Sequence, residues 1–180
     1  MTFFNLKEIL SAKQISDRVI ELAKKIDEDF AGQHIVLLCI LKGSFVFIAD
    51  LARAITVPVT IDFLGVQSYN GDTKSSGVVQ ITQDLTTSIT DRHVIIVEDI
   101  VDTGLTIHYL INMLLTRNPK TLKICSLLYK PSKVIKPVDI DYIGFTINDL
   151  FVVGYGLDYK QYYRNFPGIN ILEKEENDSI

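Results

Sequence analysis

A chain of 180 residues with 47% hydrophobic side chains has the size of one domain and enough apolar material for a real core, so a single domain over 1–180 is expected. Its formal charge of −4 argues against nonspecific nucleic-acid binding, which draws its affinity from basic surface. No apolar run approaches the roughly 20 residues that span a bilayer, and MTFFNLKEIL lacks the basic region and apolar stretch of a signal peptide, so a cytoplasmic protein is expected.

In chain order, Ser11 and Gln14 form a capping box, and Ile15, Val19, Leu22 and Ile26 then recur on one helical face that closes near Gly32. IVLLCIL (35–41) is a continuous apolar run that fits a strand covered on both faces, and it opens into Lys42, Gly43 and Ser44. A second helix begins near Ser44 and is stopped by Pro58. VTIDFLGV (59–66) reads as a strand, SYNGDTKSSG (68–77) as a long polar loop, and GVVQITQDL as an alternating strand. VIIV (94–97) is again continuous and apolar. Ile107, Leu110, Ile111, Leu114 and Leu115 define a third helical face ending at Asn118 and Pro119. LKICSLLY (122–129), DYIGFTI (141–147) and FVVGYG (151–156) read as further strands. Cys39 and Cys125 lie inside apolar runs without metal spacing, which predicts buried small hydrophobes. His34, His93 and His108 receive no function. The EKEEND stretch reads as a solvated end.

Strands alternating with amphipathic helices predict an α/β domain with a mainly parallel central sheet flanked by helices, and in such sheets ligands bind at the carboxyl ends of the strands. That places VIIVEDIVDTGLT (94–106) at a site. If VIIV is a central strand, Glu98 and Asp99 leave its carboxyl end, and Asp102-Thr103-Gly104-Leu105-Thr106 turns into the next helix. The start of a helix offers unpaired N–H groups and the positive end of the macrodipole, which favour a phosphate. Carboxylates beside a phosphate would repel it unless they served sugar hydroxyls, a magnesium ion or a proton in transit. A P-loop is absent, and GYG at 154–156 lacks the third glycine of a dinucleotide fingerprint.

The thirteen residues from 94 to 106 resemble the phosphoribosyl pyrophosphate (PRPP) signature of the type I phosphoribosyltransferases. LKGSF (41–45), LLYKPS (127–132) and FVVGYGLDYKQYYRN (151–165) extend the resemblance over nearly the whole chain, to the 6-oxopurine branch whose acceptors are hypoxanthine and guanine. The resemblance implies the family's fold with a small hood over the sheet that carries the base pocket. It implies a Mg2+-dependent purine-salvage enzyme and a homodimer or homotetramer that takes PRPP and a purine base, with neither nucleic acid nor membrane as partner. Glu98, Asp99, Asp102, Thr103, Gly104, Leu105 and Thr106 would bind ribose and its 5'-phosphate, with Asp102 as general base for the purine N7 proton. Leu105 stands where other members carry a lysine. Lys42, Gly43 and Arg164 would hold pyrophosphate, next to a Leu41–Lys42 peptide that is often cis in the family. Ser68 and Tyr69 would belong to a closing lid. Lys130 would donate to the purine 6-oxo group, Phe151 would stack on the base, Val152 would present backbone groups, and Asp158, with Glu98 and Asp99, would attend magnesium. Tyr155, Tyr159, Tyr162 and Tyr163 are expected to be packing residues. The choice among hypoxanthine, guanine and xanthine rests on backbone groups at the purine 2-position, which residue types do not encode. A PRPP-binding regulator of RNA or transcription is the competing class, and the acidic balance speaks against it.

Overall fold

Continuous apolar runs need cover on both faces, and their arrangement in the chain supplies it. The structure, a computed structural model, describes residues 5–68 and 79–173. Its strands are β1 (Asn5–Leu10), β2 (Ile35–Leu41), β3 (Val59–Ser68), β4 (Val79–Gln83), β5 (His93–Val101), β6 (Thr121–Tyr129), β7 (Tyr142–Thr146), β8 (Val152–Val153) and β9 (Ile169–Glu173). The helices are α1 (Ala12–Asp29), α2 (Phe45–Ala54) and α3 (Leu105–Leu115), with a 3-10 turn at Pro131–Lys133.

Six strands form one sheet in the order β4-β3-β2-β5-β6-β7, parallel throughout except for the antiparallel edge strand β4. Because side chains alternate across a strand, β2 sends Ile35, Leu37 and Cys39 to one face and Val36, Leu38 and Ile40 to the other. The first face is covered by α1, through Ile15, Val19, Leu22 and Ile26, and by α2, through Phe47, Ile48 and Leu51. Ile107, Leu110 and Leu114 of α3 cover the second. At the start of α1 the Gln14 N–H donates to Ser11 Oγ at 3.3 Å and the Ser11 N–H to Gln14 Oε1 at 2.9 Å, which completes the expected capping box. Both cysteines are buried. Among the described residues no helix is long and apolar enough to cross a membrane.

The chain runs outward from the middle of this sheet in both directions: β2 leads through α2 to β3, and β5 leads through α3 to β6. β2 and β5 are neighbours, and their pairing stops at Cys39↔Val97, whereas β2 continues with β3 to Leu41↔Gly65 and β5 with β6 to Val101↔Tyr129. The carboxyl ends of the two central strands therefore part from each other. This is the switch point at which doubly wound sheets bind ligands.

Two expectations need correction. The strand after Arg92 does not end at Val97; it carries Glu98 and Asp99 within it, because β6 goes on pairing with it after β2 has stopped. FVVGYG is a strand only at Val152 and Val153, since Gly154, Tyr155 and Gly156 all have positive φ (101°, 49° and 100°) and turn the chain away. Val152 and Val153 join β9, and β9 joins β1, to make a three-stranded antiparallel hood sheet. The first and last described strands meet there, with Asn5 opposite Glu173.

Candidate active site

The segment after β5 is shaped by its glycine. Gly104 caps α3 with φ of 77°, in the left-handed region that favours glycine, and a Cβ there would overlap the carbonyl oxygen of Lys136. The same turn is tied to the following loop by the Thr103 carbonyl, which accepts the N–H groups of Ile135 at 2.9 Å and Lys136 at 3.1 Å. Held in this way, Asp102, Thr103, Gly104 and Thr106 line a cavity of about 80 Å3 together with Glu98. Thr103 Oγ1 accepts the Leu105 N–H at 3.4 Å, so Leu105 takes part through its backbone. Beyond that bond, the first N–H groups of a helix have no acceptor in a preceding turn, which makes the start of α3 suited to an anion.

The acid pair is divided between two cavities. Glu98 lines the small one and is 9% exposed, with an Oε2 that has no hydrogen-bond partner among the described residues. Burial, and then the neighbouring Asp99, push its carboxyl well above the ordinary range. Asp99 lines a larger cleft of about 860 Å3 with Lys42, Gly43, Asp158, Gln161 and Arg164. Its carboxyl is pushed up to about 6 by burial, against the opposing pull of backbone N–H groups and the Arg164 guanidinium. Asp102 also has a buried oxygen, Oδ1, with no partner among the described residues. A buried polar atom left unpaired by the chain is uncommon and calls for an explanation.

On the far side of the large cleft, the Leu41–Lys42 peptide is cis, as the resemblance implies. A Cβ on Gly43 would overlap Asp99 Oδ2, and one on Gly156 would overlap the Gly43 carbonyl oxygen. The Lys42–Gly43 loop is thus clasped between the Asp99 carboxylate and the hood. Arg164 is fixed by three bonds: Nη1 donates to the Gly156 carbonyl at 2.7 Å, and Nη2 lies 2.8 Å from Asp158 Oδ1 and 3.1 Å from Gln161 Oε1. Asp158 also accepts the Gln161 N–H at 2.8 Å.

The residues expected to meet the purine come from two places, the end of β6 and the start of β8. Lys130 follows β6, is 6% exposed, and is anchored by its N–H to the Val101 carbonyl at 3.0 Å. Its Nζ is 3.8 Å from Asp149, which also pairs with Lys133 at 3.2 Å. Phe151 is 55% exposed and meets Tyr159 edge-on, with centroids 5.8 Å apart. More than half of the residue is therefore left to solvent. Val152 is buried in β8. Of the two lid residues, Ser68 ends β3, and Tyr69 lies outside the described residues.

Residue types alone missed Asp149, Gln161 and Gly156. Gly156 could have been found from its place in a turn, but the others matter only through partners far away in sequence or across a tight turn.

Magnesium requires oxygen ligands and commonly uses one or two carboxylates together with substrate phosphates. Among the described residues no group of three or more His, Cys, Asp or Glu could hold a metal ion by itself. Asp99 and Asp158 on one cleft fit an ion that arrives with a polyphosphate, whereas Glu98, expected to join them, opens on the other cavity.

Comparison with known proteins agrees with this geometry. Residues 5–160 match the model of the phosphoribosyl transferase domain. The chain is 47% identical over 171 residues to the hypoxanthine-guanine phosphoribosyltransferase of Mycobacterium tuberculosis, covering 92% of this chain and 85% of that one. A crystal structure of a hypoxanthine-guanine phosphoribosyltransferase from Bacillus anthracis superposes with a TM-score of 0.90 at 44% identity, covering 94% and 99% of the two chains. The hypoxanthine phosphoribosyltransferase from Trypanosoma cruzi, in complex with the product IMP, gives 0.89 at 41% identity over 98% of each. The chain belongs to the phosphoribosyltransferase family and, within it, to the hypoxanthine-guanine branch.

Proposed function

We propose that this chain is a purine-salvage enzyme that transfers the 5-phosphoribosyl group of PRPP to hypoxanthine or guanine, giving IMP or GMP and pyrophosphate. The observation that carries the reading is the unpaired, buried Oδ1 of Asp102 in the same cavity wall as Thr103, Gly104 and Thr106. It sets a proton acceptor beside a phosphate cradle at the sheet's switch point.

In the proposed reaction the purine N9 forms a bond to the anomeric carbon as the bond to the pyrophosphate oxygen breaks, and pyrophosphate departs with the electron pair. The α3 N-terminus and the Thr103 and Thr106 hydroxyls hold the 5'-phosphate. Asp99 and Glu98 meet the ribose hydroxyls. Asp102 accepts the N7 proton that the base must lose. Lys42 and Arg164 bring positive charge to the leaving group. Lys130 donates to the 6-oxo group, which an exocyclic amine could not accept, so adenine is refused. Phe151 stacks on the ring and Val152 offers its backbone. Mg2+ arriving with PRPP and met by Asp99 and Asp158, with Glu98 close by in the neighbouring cavity, would add charge neutralisation of the pyrophosphate.

Further parts of the reading concern the whole chain: all 180 residues act as one domain, in the cytoplasm, as a homodimer or homotetramer. Ile61 and Phe63 support self-association. They lie in register with Leu37 and Cys39 on the face that α1 and α2 cover, yet are 44% and 39% exposed.

The purified chain with PRPP, Mg2+ and hypoxanthine should form IMP, read by chromatography. Asp102→Asn should lower turnover by about 100-fold or more while PRPP binding persists. Turnover of that variant within severalfold of wild type would remove Asp102 from the role of base.

A further inference from the structure

We propose that the Tyr155 hydroxyl is a positioning group for the leaving-group half of the site: by bonding to Asp50 it pins the loop carrying Asp158 and Arg164 against the loop carrying Lys42 and Gly43. The proposal rests on the transferase reading above.

The pyrophosphate side of the cleft is assembled from two separate pieces of chain. Lys42 and Gly43 precede α2, whereas Asp158 and Arg164 belong to the turns after β8. Asp50 lies on α2, so a bond to it fixes a partner relative to the helix that begins two residues after Gly43. Tyr155 Oη donates to Asp50 Oδ2 at 2.6 Å, across 105 residues of sequence. Tyr155 is 6% exposed, and burial together with the Asp50 carboxylate raises its pKa, so the hydroxyl keeps its proton at any working pH.

The pinned residue adjoins the point where the two pieces touch. Tyr155 has φ of 49°, which an L residue adopts only where its surroundings hold it. Its neighbour Gly156 passes so close to the Gly43 carbonyl that no Cβ fits. Gly156 in turn places Arg164 from both sides, since its carbonyl accepts from Arg164 Nη1 at 2.7 Å and its N–H donates to the Arg164 carbonyl at 2.9 Å. Arg164 then sets Asp158 through the 2.8 Å ion pair. A displacement of Tyr155 would thus move the guanidinium and the carboxylate together. Lys130 is placed by β6 and Val152 by β8, so the purine side should feel it far less, through the Phe151–Tyr159 contact alone.

A hydroxyl that only satisfied the core would affect thermal stability and leave substrate affinities alone. Tyr155→Phe keeps the ring and removes the bond. The expected result is a rise of about fivefold or more in KM for PRPP and, in the reverse reaction, for pyrophosphate, with KM for hypoxanthine at saturating PRPP within about twofold of wild type. Asp50→Leu should reproduce that pattern. Asp50→Asn, which keeps an acceptor oxygen, should stay near wild type, and the Tyr155→Phe/Asp50→Leu double variant should be no worse than either single one. Unchanged constants for PRPP and pyrophosphate in folded Tyr155→Phe, or equal rises for PRPP and purine, would overturn the proposal. An inactive wild type would instead overturn the transferase reading itself.

Discussion

Asp99 shows how a single residue can be unfavourable for the fold and suited to the reaction. Its carboxyl rises from an ordinary 3.8 to about 6 because the folded chain buries it, against Gly43, and the nearby Asp158 adds like charge. A raised carboxyl pKa means that the folded state holds a proton which the unfolded state releases first. Asp99 therefore costs least below about pH 4 and most once the pH has passed 6, where its charge must be buried. Asp99→Asn should consequently raise neutral-pH stability by about 1–3 kcal/mol, seen as a higher Tm, with the gain vanishing below about pH 4. The same variant should lose most of its transferase activity, and wild-type activity should fall as the pH drops through about 6. A Tm gain that did not shrink in acid would place the effect elsewhere.

Among the elements, the turn into α3 is the one most tightly specified. Gly104→Ala combines a left-handed φ with an overlap against the Lys136 carbonyl, so it should cost about 1–3 kcal/mol in denaturant unfolding and weaken PRPP binding more than purine binding. Wild-type PRPP affinity in that variant would show that the turn can relax. Much at this scale was legible in the sequence. The capping box of α1, the apolar runs of β2 and β5 and the periodic face of α3 are local patterns, and local patterns survive into the fold. The hood strands β1 and β9 were not legible, because each is short and completed only by a partner some 160 residues away, as Asn5 opposite Glu173 shows. FVVGYG misled because its apolar character arises from packing around a turn, whereas its positive φ values belong to that turn. The turn between β5 and α3 could be picked out in advance; the cavity that each of its acids faces could not. That Glu98 and Asp99 face different cavities depends on the strand continuing past Val97, which the partner strand β6 decides.

The whole molecule combines a rigid sheet with loops that meet over its switch point. Burial of β2 and β5 on both faces gives the site a fixed floor, while the Lys42, Asp102 and Arg164 segments approach it from three directions. If self-association uses the exposed Ile61 and Phe63 face, Phe63→Lys should leave the monomer fold intact and shift sedimentation toward the monomer; an unchanged sedimentation coefficient would remove this face from the interface. The central claim, however, is 6-oxopurine transfer, and pyrophosphate release measures it directly. With Mg2+ and PRPP, parallel reactions would contain hypoxanthine, guanine, xanthine, adenine, uracil or no base. Release that depends on a 6-oxopurine, with adenine and uracil silent, is the predicted result. Release with adenine, or silence with every base from folded protein that binds PRPP, would contradict it.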